Sequence, residues 1–217
     1  MRKYLLAALV AGTVAAPAMA QDGRAPFTGP RIGAVVGYDN SQPGSSEDSD
    51  VEGDDQSVEG LLYGFDVGYD VNVGSAVIGA EAELTDSTGK VDVESTDPDT
   101  FGFGRVAADR DIYVGLRAGF LATPNTLVYA KGGYTNAKYN VLASDGETEL
   151  DSDFELDGYR VGAGVERSFG NNTYGKIEYR YSNYSEAQFE FADGDETDDI
   201  GIDTDRHQVA VGVGIRF

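Results

Sequence analysis

From Arg206 to Phe217 the chain alternates without a break. His207, Val209, Val211, Val213, Ile215 and Phe217 share one parity, and Arg206, Gln208, Ala210, Gly212, Gly214 and Arg216 share the other. A period of two residues predicts a β-strand whose faces meet different surroundings. Seven segments upstream carry the same signal. Ile32, Ala34, Val36 and Tyr38 alternate with Arg31, Gly33, Val35, Gly37 and Asp39, and Leu61, Tyr63, Phe65, Val67 and Tyr69 alternate with Leu62, Gly64, Asp66 and Gly68. The third strand sets Ala76, Ile78, Ala80, Ala82 and Leu84 against Val77, Gly79, Glu81 and Glu83; the fourth sets Ile112, Val114, Leu116, Ala118 and Phe120 against Tyr113, Gly115, Arg117 and Gly119. In the fifth, Val128, Ala130, Gly132 and Tyr134 oppose Tyr129, Lys131, Gly133 and Thr135. Tyr159, Val161, Ala163 and Val165 oppose Arg160, Gly162, Gly164 and Glu166 in the sixth, and Ile177, Tyr179 and Tyr181 oppose Lys176, Glu178 and Arg180 in the seventh. Helical periodicity is poor, so the expectation is an all-β chain of eight strands.

The connections alternate as well. Those after strands two, four and six are short, at Asp70 to Ser75, Ala122 to Thr126 and Gly170 to Asn172. Those after strands one, three, five and seven are long, at Asn40 to Ser57, Thr85 to Arg110, Asn140 to Asp157 and Ser185 to Asp205, and they hold most of the acidic residues. An antiparallel up-and-down barrel puts successive connections at opposite ends, so one rim is tight and the other carries four acidic loops. Short turns on one side and long loops on the other are what an outer-membrane barrel has.

Alternation alone does not say which face points inward. A soluble, lipocalin-like barrel would turn its apolar face toward a ligand. Three features favour the membrane alternative. The polar face mixes glycine with charges of both signs, namely Asp66, Glu81, Glu83, Arg117, Lys131, Arg160, Glu166, Lys176, Glu178, Arg180 and Arg216. Such a set suits paired ions in a narrow lumen, whereas glycines on a water-facing exterior would only weaken strands. The apolar face gathers aromatics near strand ends, at Tyr38, Tyr69, Phe120, Tyr159, Tyr181 and Phe217, as girdles at two membrane interfaces require. The last strand also ends on Phe217, in phase with the apolar face.

Residues 1–20 fall outside this pattern. Arg2 and Lys3 are followed by an apolar run and by Ala18-Met19-Ala20, which predicts a secretory signal peptide with the mature barrel domain at 21–217. The apolar run is shorter than the roughly 20 residues of a membrane-spanning helix. Gln21, where a lipoprotein would have cysteine, excludes a lipid anchor at that position.

Composition narrows the function. The 217 residues carry a formal net charge of -22. Nucleic acid is excluded as a partner, because a duplex binder needs a basic surface to displace counterions. Cysteine is absent, which removes disulfides, thiol nucleophiles and cysteine-based zinc sites.

Taken together, the leader, the eight strands with short and long connections in turn, and the Arg216-Phe217 ending resemble the small outer-membrane β-barrel family of Gram-negative bacteria. That group holds OmpA-like transmembrane domains and alphaproteobacterial Omp25/Omp31-type proteins, often labelled porin family. Phe27-Thr28-Gly29-Pro30-Arg31 leading into Gly37-Tyr38-Asp39 resembles its first strand, and Tyr129-Ala130-Lys131-Gly132-Gly133-Tyr134 its fifth. The resemblance spans Phe27 to Phe217. It implies an outer-membrane location, insertion by the barrel-assembly machinery reading the strand that ends on Phe217, and a structural or surface-interaction role among outer-membrane lipid and lipopolysaccharide. The peptidoglycan anchoring of full-length OmpA does not carry over, since no such domain follows the barrel in this sequence.

Eight strands leave a lumen that side chains fill, so the porin label is expected to mislead. The lumenal charges are expected to pair as a plug, with a narrow channel for ions or small solutes as the alternative and the lipocalin-like barrel third. An enzyme is not expected. Among lipid A deacylase barrels a His is followed two positions on by Ser; here His207 is followed by Val209, which breaks the pattern and leaves an interface residue. No cofactor or metal is expected. Asp193 to Asp199 lacks the EF-hand glycine and closing Glu and reads as a solvated acidic loop. Divalent cations bridging loop carboxylates to lipopolysaccharide phosphates are the other reading of these loops, and an extracellular ligand there is left open.

Overall fold

The computed structural model describes residues 27–43, 58–91, 103–144, 149–170, 172–190 and 200–217. The predicted signal peptide and the Asp193 to Asp199 loop lie outside these residues. The strands, in chain order, are β1 (Gly29–Pro43), β2 (Val58–Asn72), β3 (Ala76–Ser87), β4 (Lys90–Val91), β5 (Phe103–Thr123), β6 (Thr126–Ser144), β7 (Glu149–Phe169), β8 (Thr173–Glu190) and β9 (Ile200–Arg216). The two residues of β4 prolong β3 along β5, so the wall is a closed barrel of eight antiparallel staves. Each stave pairs with its chain neighbours, and β1 pairs with β9 from Arg31↔Arg216 to Pro43↔Thr204 to close the ring.

The parity read from the sequence sets the two faces. Outward positions are exposed and apolar, among them Val36, Phe65, Ile78, Val114, Leu116, Val161, Val211 and Val213. Leu116 is 68% and Val213 65% exposed, which only a hydrocarbon solvent makes favourable. At the rim with short turns this band ends on Tyr69, Phe120, Phe169 and Phe217, all exposed. At the other rim the outward tyrosines donate hydrogen bonds to aspartates on the next strand. Tyr63 reaches Asp86 at 2.9 Å, Tyr181 reaches Asp205 at 2.6 Å, and Tyr134 bonds to Asp157. A ring of tyrosines with apolar rings below and anchored hydroxyls above marks a membrane interface.

The wall is longer than the sequence pattern indicates. Residues placed in the long connections belong to strands, including 103–110, 140–144, 149–157, 185–190 and 200–205. About 9–11 residues suffice for a tilted strand to cross the bilayer, and β5 and β7 each have 21. These stretches lie within the long acidic connections of the sequence pattern, yet their backbones continue to pair as strand.

Candidate functional site

The barrel interior holds the chemistry. Among the described residues eight bases are buried, Arg31, Arg117, Lys131, Arg160, Lys176, Arg180, Arg206 and Arg216. Eight acids are buried with them, Asp39, Asp66, Asp70, Glu81, Glu83, Asp111, Glu166 and Glu178. The set is neutral, and it divides into three tiers that are each neutral.

Nearest the short turns, Arg117 grips Asp70 with two parallel bonds, Nε to Oδ1 at 2.7 Å and Nη2 to Oδ2 at 2.6 Å, and reaches Glu166 at 2.8 Å. Arg216 donates to the same two carboxylates at 2.7 and 2.6 Å. Arg31 lies 3.2 Å from Asp70 and also pairs with Asp66. In the middle tier Lys131 Nζ sits among three carboxylates, 2.9 Å from Glu81, 2.7 Å from Glu83 and 3.0 Å from Glu178. The carboxylate oxygens of these three residues lie within 4.8 Å of one another, a spacing that would hold a metal ion, and Lys131 supplies a cation there. Lys176 and Arg180 complete the tier on Glu178, at 3.0 and 2.8 Å. In the outer tier Arg206 grips Asp39 at 2.8 and 2.6 Å and reaches Asp111 at 2.8 Å. Asp111 also accepts from Arg160 at 2.5 Å, Thr135 at 2.8 Å and Tyr184 at 3.1 Å. Bridges from Arg31 to Glu81 and from Lys176 to Asp66 tie the first two tiers, and Arg160 stands 3.8 Å from Glu83 above them.

Aromatic rings fill the remaining inner space. Tyr113 lies between Lys131 and Arg160, 4.8 and 5.3 Å from its ring centre, and Arg117 covers Tyr129 at 4.9 Å. Cations over π faces in a dry site are worth more than at an exposed one. Glycine makes the room. Tyr174 faces Gly214 in the β8–β9 register, where an added Cβ would stand 2.4 Å from the tyrosine ring, and Tyr129 faces Gly164 across β6–β7, where the gap would be 2.9 Å.

All eleven charges that the sequence assigns to the lumen lie on this inner face: Asp66, Glu81, Glu83, Arg117, Lys131, Arg160, Glu166, Lys176, Glu178, Arg180 and Arg216. Five partners are missing from that expectation. Arg31, Asp39 and Arg206 have the inward parity but sit toward strand ends; Asp70 falls in an expected turn; Asp111 falls at the edge of an expected loop. Arg31, Asp39 and Arg206 already stood on the inward parity, and extending that parity by one step would have found Asp70 and Asp111. His207 faces outward, with Nδ1 2.7 Å from the Tyr179 hydroxyl and its ring 5.2 Å from that of Tyr181. The backbone N–H of Phe217 donates to the Pro30 carbonyl at 2.9 Å, fastening the end of the chain across the β1–β9 seam.

An apolar belt outside, two aromatic rims and a charged interior define an integral outer-membrane barrel. The chain belongs to the outer membrane protein β-barrel domain family, whose model it matches over residues 6–217. It is similar to the 22 kDa outer membrane protein of Rhizobium leguminosarum bv. viciae, 28% identical over an alignment of 164 residues that covers 71% of this chain and 67% of that protein. Two crystal structures share the fold. Neisserial surface protein A superposes with a TM-score of 0.51 at 12% identity, covering 88% of this chain and 98% of the other. OprG from Pseudomonas aeruginosa gives 0.52 at 14% identity, covering 88% and 97%. Neither the family description nor the Rhizobium protein's name is that of an enzyme.

Proposed function

We propose that this protein is a non-catalytic structural and surface-interaction element of the outer membrane, with a lumen closed by its own charges. The observation that carries the reading is the neutrality of the interior. Sixteen buried ionised groups each need a partner, because a charge left alone in a low-dielectric space is strongly destabilising. A continuous water path would have to break several of those pairs at once, so a stable pore is disfavoured. Catalysis is disfavoured on the same grounds: the carboxylates are engaged, and His207 lies on the lipid side bonded to a tyrosine rather than to a nucleophile.

The segments 44–57, 92–102, 145–148 and 191–199 contain acids and no bases. They suit contact with lipopolysaccharide phosphates through divalent cations, or with a cationic extracellular ligand. Assembly depends on Phe217 at the closing seam. Its deletion lowers the amount of protein in the outer membrane more than it lowers the unfolding free energy of the refolded barrel, and unchanged membrane levels would count against this role.

Purified protein in planar bilayers tests the closed lumen. The expected record has no stable large conductance, and Arg117→Ala or Glu178→Ala increases whatever leak is present. A steady open channel in the unaltered protein, indifferent to both substitutions, would make a narrow solute pore the better reading.

A further inference from the structure

We infer that Phe27 is a stopper for the periplasmic mouth of the lumen, latched in place by closure of the β1–β9 seam. Phe27 precedes the first strand, yet it is only 1% exposed and packs with Val77, Leu127 and Tyr129 in an apolar cluster at the short-turn end of the lumen. Its backbone has φ 66, the left-handed region that a bulky side chain rarely adopts. Such a conformation persists where the surroundings impose it. Here it directs the ring into the barrel mouth rather than along the strand that follows. Thr28 holds the turn by accepting the Asn72 N–H at 3.2 Å.

The latch is at the other end of the chain. The Arg216 guanidinium lies 5.5 Å from the Phe27 ring centre while it is tied to Asp70 and Glu166. Arg216 reaches this position only when β9 pairs with β1, at Arg31↔Arg216. Closing the barrel therefore completes the seat of the stopper, and an unclosed barrel lacks it. The ring lies on the mouth side of the charged tier formed by Arg31, Arg117 and Arg216. Its removal would admit periplasmic water to those ions first.

The inference rests on the closed-lumen reading, and thiol accessibility separates the two. The chain has no cysteine, so single-cysteine variants report without background. Val77→Cys places a thiol under the stopper, and Ala137→Cys places one at the far end of the lumen, also buried. Each is made in the full chain, folded in lipid vesicles and treated with a small cationic methanethiosulfonate, with heat-modifiable gel mobility confirming a folded barrel. Phe27→Asn tolerates the left-handed backbone and lacks the ring. It is expected to raise the labelling rate at position 77 by about tenfold or more, since access to a buried thiol follows local opening, and to leave position 137 unchanged. Phe27→Trp retains the block. Phe27→Leu gives a smaller rise and serves if the Asn variant does not fold. Equal labelling at 77 with and without the ring, or parallel increases at 77 and 137, overturns the stopper. Steady conductance of the unaltered protein overturns the closed lumen itself, whichever way the thiols behave.

Discussion

Val213 and Gly214 are neighbours in β9, share one backbone and face opposite solvents. Val213 is 65% exposed on the lipid side. Gly214 lies under the Tyr174 ring on the inner side, two residues from Arg216, which is bonded to two carboxylates. The same contrast runs round the barrel: outside there is apolar bulk with no required partner, and inside there are charges and rings that each require a particular one. The outer face therefore specifies where the barrel sits, and the inner face specifies which strands belong together. Asp70 on β2 is held by Arg31 on β1, Arg117 on β5 and Arg216 on β9, so one carboxylate registers four staves. The net charge of -22 arises elsewhere, since the buried charges balance and the segments between strand tops are acidic.

The largest effect is expected from breaking the inner pattern at that carboxylate. Asp70→Ala leaves three buried guanidiniums short of a partner and should cost about 3–5 kcal/mol in reversible urea unfolding from lipid vesicles. Adding Arg216→Met should recover part of the loss by removing one stranded charge. A loss under about 1 kcal/mol, the range of exposed pairs, would mean that water enters the lower tier and that the inner face is not dry.

The outer pattern is broken by a charge rather than by the loss of one. Val213→Arg, near the middle of the apolar belt, should cost about 2–4 kcal/mol in the same assay. Gly212→Ser, one residue away and inward, should cost much less. An added Cβ there would stand 2.9 Å from the Cε and 3.1 Å from the Cγ of Lys176 and 3.1 Å from the Ala34 carbonyl, contacts that shifts of a few tenths of an ångström relieve without placing a charge in lipid. The reverse order would mean that the faces are exchanged.

How much of this was legible in the sequence follows from the same contrast. Where a strand separates lipid from lumen, each position has one permitted class of side chain, and the parity of all eight staves reads directly from residues such as Val209 to Phe217. Residues 103–110 and 149–157 fall in the long acidic connections and read as loop, although they pair as strand. Asp70 and Asp111 were lost at opposite ends of the wall, each one inward step beyond the bounds read for its strand, Asp70 beside a short turn and Asp111 beside a long connection. The tyrosines are a different case. Tyr113 and Tyr129 have the inward parity, but nothing in the pattern says that their rings cover Gly or cations, because that depends on which strand lies alongside. Phe27 was recognised only as part of a first-strand motif. Its burial comes from a backbone turn ahead of β1, where no periodicity exists to extrapolate.

The smallest effect sharpens the contrast between buried and exposed charge. Arg110 and Glu155 form an ion pair at 2.9 Å with side chains 37% and 45% exposed, on the outward face beside the upper tyrosine ring. Arg117 and Asp70 form one of similar length with side chains 1% and 0% exposed. Coulomb attraction at equal distance differs with the surrounding dielectric, but so does the cost of leaving a survivor alone, and the second term decides the outcome on truncation. Water can solvate either member of the outer pair once its partner is gone, and dissolved salt screens the attraction beforehand. Arg110→Ala and Glu155→Ala should each change stability by no more than about 1 kcal/mol, with the double variant close to their sum. Raising the salt concentration should shrink even that coupling while leaving the Asp70→Ala loss nearly unchanged. If Arg110→Ala proved as damaging as Asp70→Ala, position relative to the membrane, and not burial in the lumen, would be what gives these pairs their strength.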